Sequence, residues 1–200
     1  MMKRLFVLVF LFVSAITFGQ RKSGLLLHGG TGDISAELKS LYGAEIDRGK
    51  IDYLFNAAVG YRFVIQPQSR LFYNIDVNAG LKSWNSDYYD SNRYKYLLSP
   101  VSHVNTQFYH LSIGGAANYT LLENLSIGAG IEPVYYFYQD GEDNSISPGF
   151  DIPLTGKIGF DLKKFSLEFS YKHGLCNLMN TEYIKFGKMR DYTFSVFIPF

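Results

Sequence analysis

Three residues that could act together in acyl transfer fall close in this sequence. His110 and Ser112 stand two apart, and Glu132 follows on a later segment. A base can activate the serine hydroxyl and an acid can orient the base, which is the chemistry of a nucleophilic set. The same side chains also make an ordinary hydrogen-bonded polar interior, and only geometry separates the two readings.

Other candidates carry less. The four histidines, His28, His103, His110 and His173, and the lone Cys176 have no structural-zinc spacing, so no metal site and no cofactor is expected. Asp140, Glu142 and Asp143 could hold Ca²⁺ but do not follow an EF-hand pattern, and read better as a solvated acidic loop. Gly29–Gly30–Thr31–Gly32 lacks the lysine and hydroxyl of a phosphate loop. It reads instead as a place where a strand can bend. Cys176 excludes an intrachain disulfide. Trp84, Tyr88, Tyr89, Tyr94 and Tyr96 form either an adaptable binding surface or an extension of neighbouring strands.

The elements that must position these residues are strands. The chain has 200 residues, which normally means one domain, with 17 Phe, 16 Tyr and 19 Gly but only 18% charged residues. Phe and Tyr favour half-buried pleated surfaces. A net charge of +1 gives no reason to expect nucleic acid. Residues 1–19 read as a cleaved secretory signal peptide. Lys3 and Arg4 precede the apolar run Leu5–Val13, and small residues lead to a cut near Gly19 or Gln20. That run is too short to span a bilayer as a helix.

From residue 20 onward, apolar residues recur at every second position. Leu71, Tyr73, Ile75, Val77, Ala79 and Leu81 alternate with Phe72, Asn74, Asp76, Asn78 and Gly80. The same period marks 53–65, 109–119, 125–131, 152–162, 165–171 and 192–200, and Gly24–Thr31 more weakly. These make eight strands. Gln66–Ser69, Leu121–Asn124 and Lys163–Lys164 are tight connections, whereas Gly32–Lys50, Ser83–Asn105, Gln139–Phe150 and Gly174–Gly187 are long and polar. Short and long connections alternate, as in transmembrane barrels with turns at one end and loops at the other.

Alternation does not say which face points inward; a soluble lipocalin-like carrier would bury the apolar one. Two features favour the reverse. On the apolar face, Tyr53, Phe55, Tyr109, Tyr135, Phe137, Tyr171 and Tyr192 fall at the loop end. Phe63, Tyr73, Tyr119, Phe160, Phe165 and Phe200 fall at the turn end, giving two aromatic girdles around a mostly aliphatic band. The opposite face mixes Arg62, Lys157 and Lys172 with Asp76, Glu132, Glu168 and His110, among many glycines. Such a set suits a narrow lumen filled by its own paired charges.

The last strand carries a resemblance. Tyr192, Phe194, Val196, Ile198 and Phe200 resemble the closing strand of the small outer-membrane β-barrels of OmpA/OmpX type, although Pro199 departs from the usual pattern. The resemblance implies an eight-stranded antiparallel up-and-down transmembrane β-barrel over 20–200, located in the outer membrane. It implies contact with membrane lipid and recognition of the C-terminal strand by the outer-membrane assembly machinery. The long loops, with their tyrosines, are where a surface ligand is expected if there is one. The expected role is structural or surface-interacting and non-catalytic. The rivals are a narrow porin-like channel, a lipid A acyl-transfer or deacylase enzyme built on His110, Ser112 and Glu132, and the soluble carrier.

Overall fold

The computed structural model describes residues 23–38, 49–65, 70–88, 102–141, 149–162, 164–178 and 184–200. The leader, the connection Gln66–Ser69, Lys163, Glu142, Asp143, Tyr89, Tyr94 and Tyr96 lie outside them, as do the side chains of Tyr53, Tyr88, His103 and Asp140.

The alternating segments form strands β1 (Gly24–Leu38), β2 (Gly49–Ile65), β3 (Leu71–Tyr88), β4 (Ser102–Leu122) and β5 (Leu125–Ile131). They continue with β6 (Val134–Gly141), β7 (Phe150–Asp151), β8 (Leu154–Asp161), β9 (Ser166–His173) and β10 (Ile184–Pro199). Every pairing is antiparallel. β1 to β4 pair in sequence, β4 pairs with β5 and then β6, β5 with β8, and β6 with β7. β8 pairs with β9, β9 with β10, and β10 returns to β1. β5 and β6 are halves of one strand, and β7 and β8 halves of the next. The ring therefore has eight members running up and down, as the sequence pattern predicts.

Two details differ from the expectation. Pro133 and Pro153 interrupt what alternation presents as continuous strands, because proline has no N–H for the ladder. The ring stays connected there through their carbonyls: Ile113 N–H donates to Pro133 O and Glu132 N–H to Pro153 O, both at 3.0 Å. The long connections are also shorter than their polarity suggests. β1 runs on to Leu38, β3 to Tyr88, and β4 already begins at Ser102. Polar residues on both faces of these upper strand ends hide the period without breaking the pairing.

Burial is inverted relative to a water-soluble sheet. Leu27, Val59, Val77, Leu111, Ile113, Ile131, Ile158 and Phe194 are exposed on the outside. Arg62, Asn74, Asn78, Lys82, His110, Glu132, Lys157 and Asp191 are buried within. The apolar face points out and the charged face points in.

Candidate functional site

The interior is stacked in layers along the ring axis. Its floor, at the turn end, is apolar: Leu26, Val64 and Phe197 pack together with Phe72 against them. These are apolar exceptions on otherwise polar strand faces, and they close the ring below its charges.

Above the floor lies an ionic cluster centred on Arg62, whose guanidinium sits over the Phe197 ring at 5.1 Å. Arg62 Nε and Nη2 donate to the two Asp76 oxygens at 2.7 and 2.8 Å, while Nη2 also donates to Glu168 Oε2 at 2.8 Å and Nη1 to Glu168 Oε1. Lys157 Nζ stands 3.7 Å from Glu168 and donates to Asn74 Oδ1 at 2.9 Å. A fork held by two carboxylates has both charge and geometry satisfied.

The next layer joins Lys172 to Glu132 at 2.5 Å. Ser112 Oγ donates to Glu132 Oε1 at 2.7 Å, and Asn78 Nδ2 donates to Ser112 Oγ at 3.2 Å. His28 lies 2.6 Å from Ser195 Oγ and 3.2 Å from Asn78 Oδ1, so its Nε2–H donates to Asn78 and its Nδ1 accepts from Ser195. Asn78 holds its central position because Gly60 stands opposite. A Cβ at residue 60 would meet Asn78 Oδ1 and come within 2.6 Å of Val77 O.

Nearer the loop end, Lys82 Nζ donates to Asp191 Oδ2 at 2.7 Å and to Tyr136 Oη at 3.0 Å, and Tyr136 donates to Met189 Sδ at 3.6 Å. Trp84, fully buried, stacks on Phe108 with centroids 4.7 Å apart, and Phe108 meets Tyr136 edge-on at 5.9 Å. This aromatic group caps the polar layers as the floor closes them below. Small cavities lined by described residues lie between these two groups. One of about 30 Å³ is lined by Arg62, Asp76, Glu132, Lys157 and Lys172 among others, and one of about 20 Å³ by His28, Lys82, His110 and Asp191 among others. Each has room for one or two waters.

At the loop end the buried Asp151 fixes the start of the β9–β10 connection. Its Oδ1 accepts backbone N–H bonds from Ile152, Leu175 and Cys176 at 2.8, 3.1 and 2.8 Å.

No family model and no curated protein matches the chain. Solved structures similar to it include the attachment invasion locus protein Ail of Yersinia pestis, at 12% identity over 90% of this chain and 99% of that one, with a TM-score of 0.41. Neisserial surface protein A is similar at 11% identity over 89% and 97%, with a TM-score of 0.47. The outer membrane protein OprG from Pseudomonas aeruginosa is similar at 15% identity over 90% and 95%, with a TM-score of 0.48. The ring and its inverted faces rest on strand pairing and burial, independently of these likenesses.

The seven interior residues anticipated from sequence, Arg62, Asp76, His110, Glu132, Lys157, Glu168 and Lys172, all face inward. Six of them join ion pairs. His110 does not: its Nδ1 has no hydrogen-bond partner, and its ring lies against Tyr136 at 5.8 Å. The Ser112 hydroxyl donates to Glu132 and not to His110, so the three are not arranged as nucleophile, base and orienting acid.

Of the girdle residues, Phe55, Tyr73, Tyr119, Tyr135, Phe137, Phe165, Tyr171, Tyr192 and Phe200 are exposed on the outside, and Phe63 and Tyr109 are half-buried. Phe169 and Phe194, paired in register, add aromatics between the two ends. Trp84 follows the second of the two readings of its stretch, an extension of the neighbouring strands. It lies inside the ring, not on a binding surface, because β3 continues past Lys82 and keeps its even-numbered residues inward. Sequence reasoning also missed Lys82, Asp191 and Tyr136. The signal was there: Lys82 extends the inward series of Asn78 and Gly80, and Asp191 extends that of Thr193 and Ser195.

Proposed function

We infer that this chain is an outer-membrane protein whose ring spans the bilayer as a β-barrel, with a structural or surface-interacting role and no catalysis. The observation that carries this is the inversion of burial. A sheet with Arg62, Lys82, Glu132 and Asp191 inside and Leu111, Ile113 and Ile158 outside has its apolar face matched to lipid, not to water. Among the described residues each of the eight ring members pairs with both of its neighbours, so the sheet has no edge strand, as a bilayer requires. The exposed aromatics near both strand ends suit the two lipid–water interfaces.

The interior speaks for the passive role. Among the described residues it is filled largely by paired charges between an apolar floor and an aromatic group, with cavities that hold a water or two, which leaves little room for a solute path. A soluble carrier would need an apolar chamber of ligand size, some hundreds of Å³, where this interior is charged. Surface contacts then fall to the loops and outer rim, and insertion falls to the assembly machinery acting on the C-terminal strand.

The test is fractionation followed by gel mobility. Protein from the outer-membrane fraction should migrate differently before and after boiling, as a closed barrel does when it is unfolded. Recovery in the soluble periplasm would overturn the reading. Reconstituted protein should give little or no conductance in planar bilayers.

A further inference from the structure

At the loop end, one stretch of the outer face changes from apolar to basic. Arg190 of β10 is paired in register with His173 of β9 on one side and Asp33 of β1 on the other. Lys188 stands one outward position higher on β10. Lys188 and Arg190 alternate with the buried Gly187, Met189 and Asp191, so both side chains leave the ring. Arg190 and Asp33 have side chains 38% and 46% exposed, and the contact between them, Nη1 to Oδ1, is 3.5 Å. The His173 ring lies over Tyr171 at 6.5 Å, and Tyr171 meets Tyr192 at 5.4 Å in the row below. Below these again, Phe169 and Phe194 are exposed.

The row order matters: among the described side chains two cations and a histidine stand against one carboxylate, then come tyrosines, then bare hydrocarbon and phenyl surface. The inward carboxylate beside Arg190 on β10, Asp191, is already held by Lys82 at 2.7 Å on the lumen side.

We propose that this edge of β9, β10 and β1 seats the phosphate-bearing headgroup of a membrane lipid. The planar guanidinium offers paired donors to phosphate oxygens, and Lys188 adds a point charge beside it. The tyrosine row marks the depth at which headgroups meet acyl chains. Acyl chains then run down over Phe169 and Phe194. A free anion would use the charges but would have no use for the two rows beneath them, which is why a lipid is the better occupant. This inference rests on the membrane reading above.

The experiment reconstitutes the full chain into phosphatidylcholine nanodiscs containing a minor fraction of phosphatidylglycerol. Native mass spectrometry then counts which lipids stay bound after release. The wild type should retain phosphatidylglycerol in preference to phosphatidylcholine. The double variant Lys188→Gln/Arg190→Gln should lose that preference, with about five-fold less retention for each cation removed. Lys164→Gln removes a like charge at the opposite, turn end and should keep the preference.

Equal retention by the double variant overturns the proposal, and so does an equal loss in Lys164→Gln. Displacement of the lipid by inorganic phosphate alone also overturns it, assigning the patch to a free anion. A chain that never enters the discs removes the membrane reading and this inference with it. A chain that enters them and shows no preference removes this inference alone.

Discussion

Replacing Arg62 by Met tests whether the interior charges act as one unit. Arg62 is 4% exposed and is the shared partner of Asp76 and Glu168. With Lys157, the cluster holds two cations against two carboxylates. Arg62→Met leaves both carboxylates in place with a single cation, 3.7 Å from one of them. The adjoining cavity of about 30 Å³ admits too little water to solvate the charge left over. Breaking a buried pair from one side costs about 3–5 kcal/mol, and that is the expected loss. Arg62→Met/Glu168→Gln restores neutrality, with Lys157 left to face Asp76, and should recover at least half of it. The coupling between the two positions should then reach about 2 kcal/mol. Urea unfolding in lipid vesicles, followed by the fluorescence of the single tryptophan and by heat-dependent gel mobility, measures each variant. The reasoning fails if Arg62→Met stays within about 0.5 kcal/mol of wild type, the range of an ordinary surface change. It fails equally if the double variant loses the sum of the two single losses.

Three further outcomes follow from the same geometry. Ile113, 60% exposed on β4 between Tyr109 and Tyr119, faces lipid in this reading. Ile113→Arg should therefore destabilise the protein in bilayers by about 2–4 kcal/mol, where a water-facing site would show almost nothing in the same unfolding assay. Trp84 should emit as a buried indole shielded from acrylamide, and Trp84→Ala should cost about 3–5 kcal/mol in thermal or urea unfolding; emission typical of a solvated indole would place it outside the ring. Asp151→Ala leaves three backbone N–H groups without their acceptor, so limited proteolysis should nick the chain near Gly174–Leu178 sooner than in wild type. An unchanged cleavage pattern would mean that Asp151 does not hold that segment.

The faces of the strands were legible because a period of two assigns every side chain to one side as soon as one is placed. Neighbours across a tight turn were legible too. Arg62 and Asp76 lie on consecutive strands joined at 66–69, and they are direct register partners. Contacts across the lumen were not. Arg62 meets Glu168, and Lys82 meets Asp191, over sequence separations that alternation does not measure. Which strands face one another depends on ring closure and stagger, which are properties of the whole sheet. The upper strand ends were illegible for a different reason. Around 82–88 and 184–191 both faces carry polar residues, so the contrast that marks a strand fades while its hydrogen bonds continue. Trp84 was left between two readings for that reason.

The charge pattern of the interior also bears on what the ring is for. Arg62, Lys82, Lys157 and Lys172 stand against Asp76, Glu132, Glu168 and Asp191, and these cations and anions are joined in pairs and small clusters. An ion pathway draws selectivity from a ring of one sign, left free to meet the ion. An acyl-transfer site needs an unpaired nucleophile and base open to substrate. Here the best nucleophile, Ser112, donates to Glu132, and Glu132 is held in turn by Lys172. Some of these contacts bridge strands that are not neighbours, β2 to β9 through Arg62 and Glu168 and β3 to β10 through Lys82 and Asp191. Arg62–Asp76 and Lys157–Glu168 join adjacent strands. In lipid the outward residues gain little by choosing one strand arrangement over another, because every arrangement offers hydrocarbon to hydrocarbon. Directional bonds across the lumen do discriminate, since a shifted register would strand a charge where no water reaches it. On that argument the interior fixes the register and closure of the ring, and in the proposed role contact with other molecules falls to the outer edge and the rim.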